Sequence, residues 1–178
     1  MRWALIILAV AAAAAVTAVL IGMTLPADHV ASVRVRLDRP PATVYAAIAD
    51  VAASTAWRHD LDRVDVLSAA GEPLRWRETG RFGSITFERE SHEPPNRLVH
   101  RIVDTGEGFG GTWTFDVSPD QSATLLTITE NGSVYNPVFR FMSRFVFGHY
   151  GTLEQYAHAL SAHLGQDAPV ERVVAPAS

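Results

Sequence analysis

Alternation of hydrophobic and polar residues dominates the middle of the chain. The run ASVRVRL at 31–37 places four apolar side chains on one face and three polar ones on the other, which is typical of a half-buried strand. Further short runs of strand character are separated by clusters of Gly, Pro, Asp and Asn. They lie at 64–67, 74–80, 84–91, 97–104, 111–117 and 123–132. The pattern predicts about seven strands in an antiparallel meander.

Two segments have a helical period instead. In ATVYAAIADVA at 42–52 the apolar residues recur at helical spacing, and a second short helix or turn follows at 54–60. Between Pro137 and Leu164 one broad helical face is apolar and the opposite face is polar. The apolar face comprises Val138, Phe141, Met142, Phe145, Val146, Leu153, Tyr156, Leu160 and Leu164. After this helix, residues 166–178 have no period, and we expect them to be disordered.

These elements predict an α+β domain in which a curved antiparallel sheet wraps around the long C-terminal helix, because the apolar face of the sheet needs a cover. The phenylalanine-rich stretch PVFRFMSRFVFG at 137–148 then covers the sheet and walls a pocket. Direct contact of this face with a membrane is less favoured, because the sheet would lose its cover.

The N-terminal segment is apolar throughout. Residues 1–26 carry no charge between Arg2 and Asp28, and a helix that spans a bilayer needs about 20 apolar residues. An uncleaved membrane anchor is favoured over a cleaved signal peptide or a buried helix. Arg2 favours a cytoplasmic N-terminus, and Arg34, Arg36 and Arg39 favour the opposite orientation. Because those three arginines are assigned to the folded domain, we expect the domain outside the cytoplasmic membrane. The chain thus divides into an anchor at 1–26, a domain at 28–165 and a tail at 166–178.

Composition narrows the chemistry further. The chain has 178 residues, a formal net charge of −4 and no cysteine. The absence of cysteine excludes disulfides and thiolate metal sites. The negative net charge gives no indication of a nucleic-acid-binding surface, and no histidine spacing indicates a metal site. We therefore expect no cofactor and no nucleic-acid partner.

Three segments resemble the START-like helix-grip (SRPBCC) superfamily, especially its polyketide cyclase/dehydrase and lipid-transport branch. They are RPPATVYAAIADVAASTAWRHDL at 39–61, with Asp50 and Trp57 at positions typical of the superfamily, GGTWTFDVSPDQSATLLTITENG at 110–132, and VYNPVFRFMSRFVFGHYGTLEQYAHAL at 134–160. The resemblance implies a helix-grip fold. It leaves the activity open, because such a fold carries lipid carriers, cyclases, co-chaperones and oxygenase subunits alike.

Three residues are candidates for catalysis. Glu78 and Glu130 each end an apolar strand face, so both carboxylates are expected near the cavity rim. His149 falls within the apolar face of the C-terminal helix, where it is either a core histidine or a polar contact in the cavity. A helix break near Gly148 and Gly151 would instead turn it outward. A carboxylate beside a histidine could act as an acid–base pair.

Large aromatic side chains are the candidate ligand contacts, because ligand sites are mainly apolar with a few polar groups. With His149 they are Trp57, Trp76, Trp113, Phe87, Phe141 and Phe145. The favoured function is membrane-tethered binding or transport of a small apolar molecule such as a lipid, quinone or polyketide. The alternatives are a cyclase or dehydratase, and a protein-interaction module with a filled core, in which Phe109 and Phe147 are contact points.

Overall fold

A computed structural model describes residues 2–81, 83–103 and 108–174, with the side chain of Phe147 outside that description. The helices are α1 (Arg2–Thr24), α2 (Pro41–Ala49), α3 (Pro137–Met142) and α4 (Gly151–His163), with a 3₁₀ turn at Ser54–Ala56 and a π-helical turn at Ser143–Phe147. The strands are β1 (Asp28–Leu37), β2 (Leu61–Val66), β3 (Arg75–Gly80), β4 (Gly83–Glu93), β5 (Arg97–Ile102), β6 (Phe109–Asp120), β7 (Ala123–Val134) and β8 (Val170–Val173).

The described strands form a single antiparallel sheet in the order β2-β3-β4-β5-β6-β7-β1-β8. Its inner face is covered by α2 and α4. Alternate residues of β1, from Ala31 to Leu37, point into the core beneath Leu153 and Leu160 of α4. Burying each of these leucines contributes about 1.5–3 kcal/mol. The predicted α+β helix-grip fold is confirmed.

The C-terminal helical pattern is present as two helices rather than one. The chain turns at Gly148, which has φ 73°, a left-handed value that glycine adopts without strain. Of these two helices, α4 covers the inner face of the sheet. The preceding α3 packs mainly against α1, with a smaller contact to β7, so the phenylalanine-rich stretch is not the cover of the sheet.

The expected disorder of residues 166–178 is wrong for its first half. Residues 170–173 form β8, which pairs with β1 from Ser32 to Val35. Arg172 also donates two hydrogen bonds to the carboxylate of Glu154 on α4, with N–O distances of 2.6 and 3.2 Å. The free edge of β1 supplies backbone partners that no local sequence pattern reveals. Residues 175–178 lie outside the described part of the chain.

Candidate functional site

Two of the predicted ligand-binding tryptophans lie in the core. Trp57 is 5% exposed and Trp76 is 1% exposed. Trp57 meets the ring of Tyr156 edge-on, with centroids 5.3 Å apart. Burial raises the pKa of the Tyr156 phenol above its ordinary value. Trp57 and Tyr156 belong to the core cluster between the sheet and α4, and Trp76 is buried against Phe87 and His100. Neither tryptophan presents the surface that direct contact with a ligand needs.

A buried charged network lies beside this aromatic core. The Arg58 guanidinium donates to Glu78 at 2.7 Å and to Asp60 at 2.8 Å, and it lies 5.2 Å from the ring centroid of Tyr156. The side chains of Arg58 and Glu78 are only 13% and 12% exposed. The indole of Trp76 donates to the second Glu78 oxygen at 3.0 Å. Both oxygens of Glu78 are therefore engaged.

The hydrogen bonds to Glu78 argue against the acid–base role expected from the sequence. Burial alone would lower the pKa of the Arg58 guanidinium, but the charge of Glu78 and the hydrogen bond to Asp60 raise it overall. Glu78 is thus the counter-ion of Arg58, and both of its oxygens already accept hydrogen bonds from protein groups. A carboxylate held in this way is less available to a substrate than a free one.

His100 is the inward-facing titratable residue of β5. Its ring lies 4.7 Å from Trp76 and 5.2 Å from Phe115. Burial, together with the charges of Arg89 and Arg58, lowers the pKa of His100 to about 3. The imidazole is therefore neutral near pH 7, and it is enclosed by the core rather than directed at solvent.

The inner face of the sheet is less completely covered around Phe87 and Trp113, which are both half-buried. Phe87 stacks on Trp76 with centroids 5.5 Å apart. Trp113 lies between His100 and Glu130 in strand register. We call this region, defined by Phe87, Trp113 and Glu130, the open end of the inner face. It offers apolar surface with a carboxylate at its border.

A pocket of about 320 Å³ adjoins the start of β1 and lies beside the end of α1. Its apolar lining includes Leu25, Ala27, Val30 and Val134, and its polar lining includes Arg140, Arg144, His29 and His149. We call it the juxtahelical pocket. Its volume is in the range of small-molecule sites, which are typically about 300–1,000 Å³.

Two histidines connect the pocket to the open end of the inner face. The rings of His29 and His149 stack with centroids 4.0 Å apart, and His29 Nε2 lies 3.8 Å from Glu130 Oε1. Gly132 lies beneath His29, where a Cβ atom would overlap the imidazole. Burial, and then the charge of His29, lowers the pKa of His149, while Glu130 opposes this. The imidazole of His149 is therefore neutral near pH 7.

Phe141 and Phe145 lie away from this site. They belong to α3 and the π-helical turn, and their ring centroids are 5.0 Å apart. Phe145 is exposed. Of the sequence candidates, Glu130 and His149 are thus brought together, whereas Phe141 and Phe145 are on the segment that leaves the sheet.

A sequence profile described as "Polyketide cyclase / dehydrase and lipid transport" matches residues 28–159. The chain belongs to this family. The match and the fold together confirm the predicted START-like superfamily. No curated protein sequence matches the chain.

Solved structures agree with the family fold. The Zhui aromatase/cyclase from Streptomyces sp. R1128 superposes with a TM-score of 0.65 and 13% identity, covering 78% of this chain and 94% of its own. A START superfamily protein from Mycobacterium smegmatis gives 0.60 and 19% identity, covering 77% and 97%. Norcoclaurine synthase from Thalictrum flavum gives 0.61 and 9%, covering 82% and 90%. At these identities the likeness establishes the fold alone.

In this polyketide cyclase-like domain the two carboxylates of the predicted acid–base group lie far apart. Glu78 on β3 and Glu130 on β7 are four interstrand steps apart, or roughly 19 Å along the sheet. Sequence reasoning missed Arg58 and His29. The only local feature that could have indicated a role for Arg58 is its position directly after Trp57, in a loop whose tryptophan is buried. His29 precedes the first clear alternation of β1, and its pairing with Gly132 is visible only in the sheet register.

Proposed function

We propose that this protein binds a small apolar ligand, such as a lipid, quinone or polyketide-like molecule, while tethered to a membrane. The observation that carries the proposal is the position of the juxtahelical pocket, which lies between the end of the apolar helix α1 and the open end of the inner face. A ligand that leaves a bilayer beside α1 meets this pocket first, and Phe87 and Trp113 offer further apolar contact.

The membrane tether is the second part of the proposal. Helix α1 has 23 residues, and its most apolar window is entirely unburied. It is about 35 Å long, against about 30 Å for the hydrocarbon core of a bilayer. Arg2 is the basic residue at its start and its last turn has none, which favours a domain outside the cytoplasm. The division into an anchor at 1–26 and a following domain stays a prediction.

An enzyme of the cyclase or dehydratase type is the alternative that a specific observation favours. His149 has a lowered pKa and is linked through His29 to Glu130 beside the pocket. That arrangement suits a general base oriented by a second imidazole and a carboxylate. Release of the bound molecule in chemically altered form would favour this alternative. The filled core around Tyr156 favours the other alternative, a protein-interaction module that takes up no ligand.

Photochemical labelling of the full chain in lipid nanodiscs tests the proposal. The probe is a fatty acid that carries a diazirine, with a diazirine quinone as a second probe, and the labelled peptides are mapped by mass spectrometry. We expect labels in the pocket at residues 134 and 149–150, in addition to α1. Labels on α1 show that the probe reached the bilayer.

A pair of tryptophan substitutions distinguishes labelling inside the pocket from labelling by probe in the bilayer. Ala27→Trp fills the pocket and should reduce labelling at 134 and 149–150 several-fold, while labelling of α1 persists. Ser122→Trp adds the same side chain at the exposed β6–β7 turn and should change nothing. Labels confined to α1 in the unmodified chain would overturn the proposal and leave the filled-core interaction module.

A further inference from the structure

The segment from Tyr135 to Val146 exposes a row of large apolar side chains. We call this segment the foot. The apolar side chains of its outer face are between 41% and 59% exposed, and they are Tyr135, Val138, Phe139, Phe145 and Val146. Most of them recur at the spacing of one helical face, and the π-helical turn at 143–147 continues that face. An exposed apolar surface of this kind indicates a binding surface.

The opposite side of the foot is polar and faces the pocket. Arg140, Ser143 and Arg144 line the juxtahelical pocket. Arg140 is held by backbone carbonyl groups, because its guanidinium donates to Val134 O at 2.7 Å and to Tyr135 O at 3.1 Å. The foot is therefore amphipathic, with its apolar side directed away from the domain.

The foot is attached to the end of α1. Gly22 is buried against Pro137, and a Cβ atom at Gly22 would overlap the Pro137 carbonyl oxygen. Arg140 also donates to Leu25 O at 3.3 Å, just beyond the last residue of α1. Asn136 caps α3 by accepting from Val138 N at 2.9 Å. These contacts set the apolar face of the foot at the level of the last turn of α1.

That level is where a spanning helix leaves the hydrocarbon core. We propose that the foot lies in the headgroup region of the bilayer that α1 enters, with Phe139 and Val146 inserted towards the acyl chains and Tyr135 at the polar boundary. The inference rests on the membrane attachment proposed above. It adds a second membrane contact that holds the juxtahelical pocket against the lipid surface.

A bilayer suits this face better than a protein partner or the sheet. The unburied apolar surface of α1 reaches Met23 and continues onto the foot at the contact of Gly22 with Pro137. One lipid surface therefore covers both. The inner face of the sheet is already covered by α4, and Gly148 turns the chain between the two helices, so the foot is not its cover.

Spin labels can measure the depth of the foot because the chain has no cysteine. Single substitutions Phe139→Cys and Val146→Cys, in the full chain in nanodiscs, carry the nitroxide into the proposed interface. Leu20→Cys on α1 is the control within the bilayer, and Ser122→Cys at the β6–β7 turn is the control in water. Collision with oxygen reports lipid, and collision with a nickel chelate reports water.

We expect the ratio of oxygen to nickel accessibility at 139 and 146 to exceed that at 122 by about tenfold and to approach that at 20. Nickel accessibility at 139 and 146 equal to that at 122 overturns the inference. Protection from both reagents also overturns it, because a protein then covers the face. If water reaches the foot while the diazirine probe still labels the pocket, the inference fails and the proposed function stands.

Discussion

At the scale of single residues, burial decides which titratable side chains are available for chemistry. Glu78 is fully engaged by Arg58 and Trp76, and His100 is enclosed by aromatic rings. His149 is only partly buried and lies beside a pocket. All three were chemically plausible by residue type, but only His149 combines a lowered pKa with an open space beside it.

The buried imidazole of His100 should make stability depend on pH. Its pKa is lowered from 6.5 to about 3, so below pH 6.5 the unfolded chain binds a proton that the folded protein does not bind. Stability is therefore fully present above pH 6.5 and falls as the pH drops towards 3. The contribution of His100 changes by up to about 1.4 kcal/mol per pH unit.

Urea titrations of the full chain in mild detergent, followed by tryptophan fluorescence at several pH values, measure this dependence. Between pH 6 and pH 4 the unfolding free energy of His100→Phe should fall less steeply than that of the unmodified chain. His59→Phe, at an exposed position, controls for the loss of one imidazole. Equal slopes for His100→Phe and the unmodified chain would contradict a buried neutral His100.

At the scale of elements, the break between α3 and α4 separates two packing roles, covering the core and contacting α1, that one continuous helix would have combined. A Cβ atom added at Gly148, where φ is 73°, would meet no other atom within 4 Å, and Gly151 at the start of α4 has equal space around it. A side chain at Gly148 would therefore be strained by the backbone conformation alone and not by crowding. After the break, α4 covers the core while α3 contacts α1.

The two glycines predict opposite effects of the same substitution. Gly148→Ala should destabilise the domain by about 1–2 kcal/mol, because alanine is strained at positive φ. Gly151→Ala should be neutral or stabilising by up to about 1 kcal/mol, because alanine favours the helix. Urea denaturation of both variants compares them directly. A stabilising effect of Gly148→Ala would indicate that the chain prefers a continuous helix there.

At the scale of the whole molecule, the C-terminal strand completes the sheet. β8 covers the edge of β1 opposite β7, and Ala168 before it is buried in the core cluster. Arg172 lies 4.8 Å from the ring centroid of Tyr150 in addition to its bonds with Glu154. The domain is therefore incomplete if it ends at residue 165.

Truncation should show the contribution of this strand. A chain that ends at residue 165 should lose on the order of 2 kcal/mol or more of unfolding free energy, through lost strand hydrogen bonds and side-chain contacts. It should also aggregate more readily, because the edge of β1 is left unpaired. A chain that ends at residue 174 is the matched control. Equal urea midpoints and equal solubility for the two chains would show that β8 contributes nothing.

The sequence by itself determined the local elements and the family. Alternation located the strands, the helical period located α2 and α4, and three segments carried the START-like resemblance, because each of these signals is contained in neighbouring residues. The amphipathic face at 137–146 was also visible in the sequence. The strand pattern also placed Glu130 at the end of an inward apolar face. For His149 the sequence left three placements open, and a helix break near Gly148 was one of them.

Tertiary structure decided what those faces contact. The sequence assigned the phenylalanines to the sheet, whereas the chain turns at Gly148 and the helix that precedes it packs against α1. The pairing of β8 with β1, the Arg58–Glu78 ion pair and the stacking of His29 on His149 all join residues far apart in the chain. Hydrophobicity specifies that a face is buried but not against which partner, since burial is non-directional. That choice is made only when the whole chain has folded.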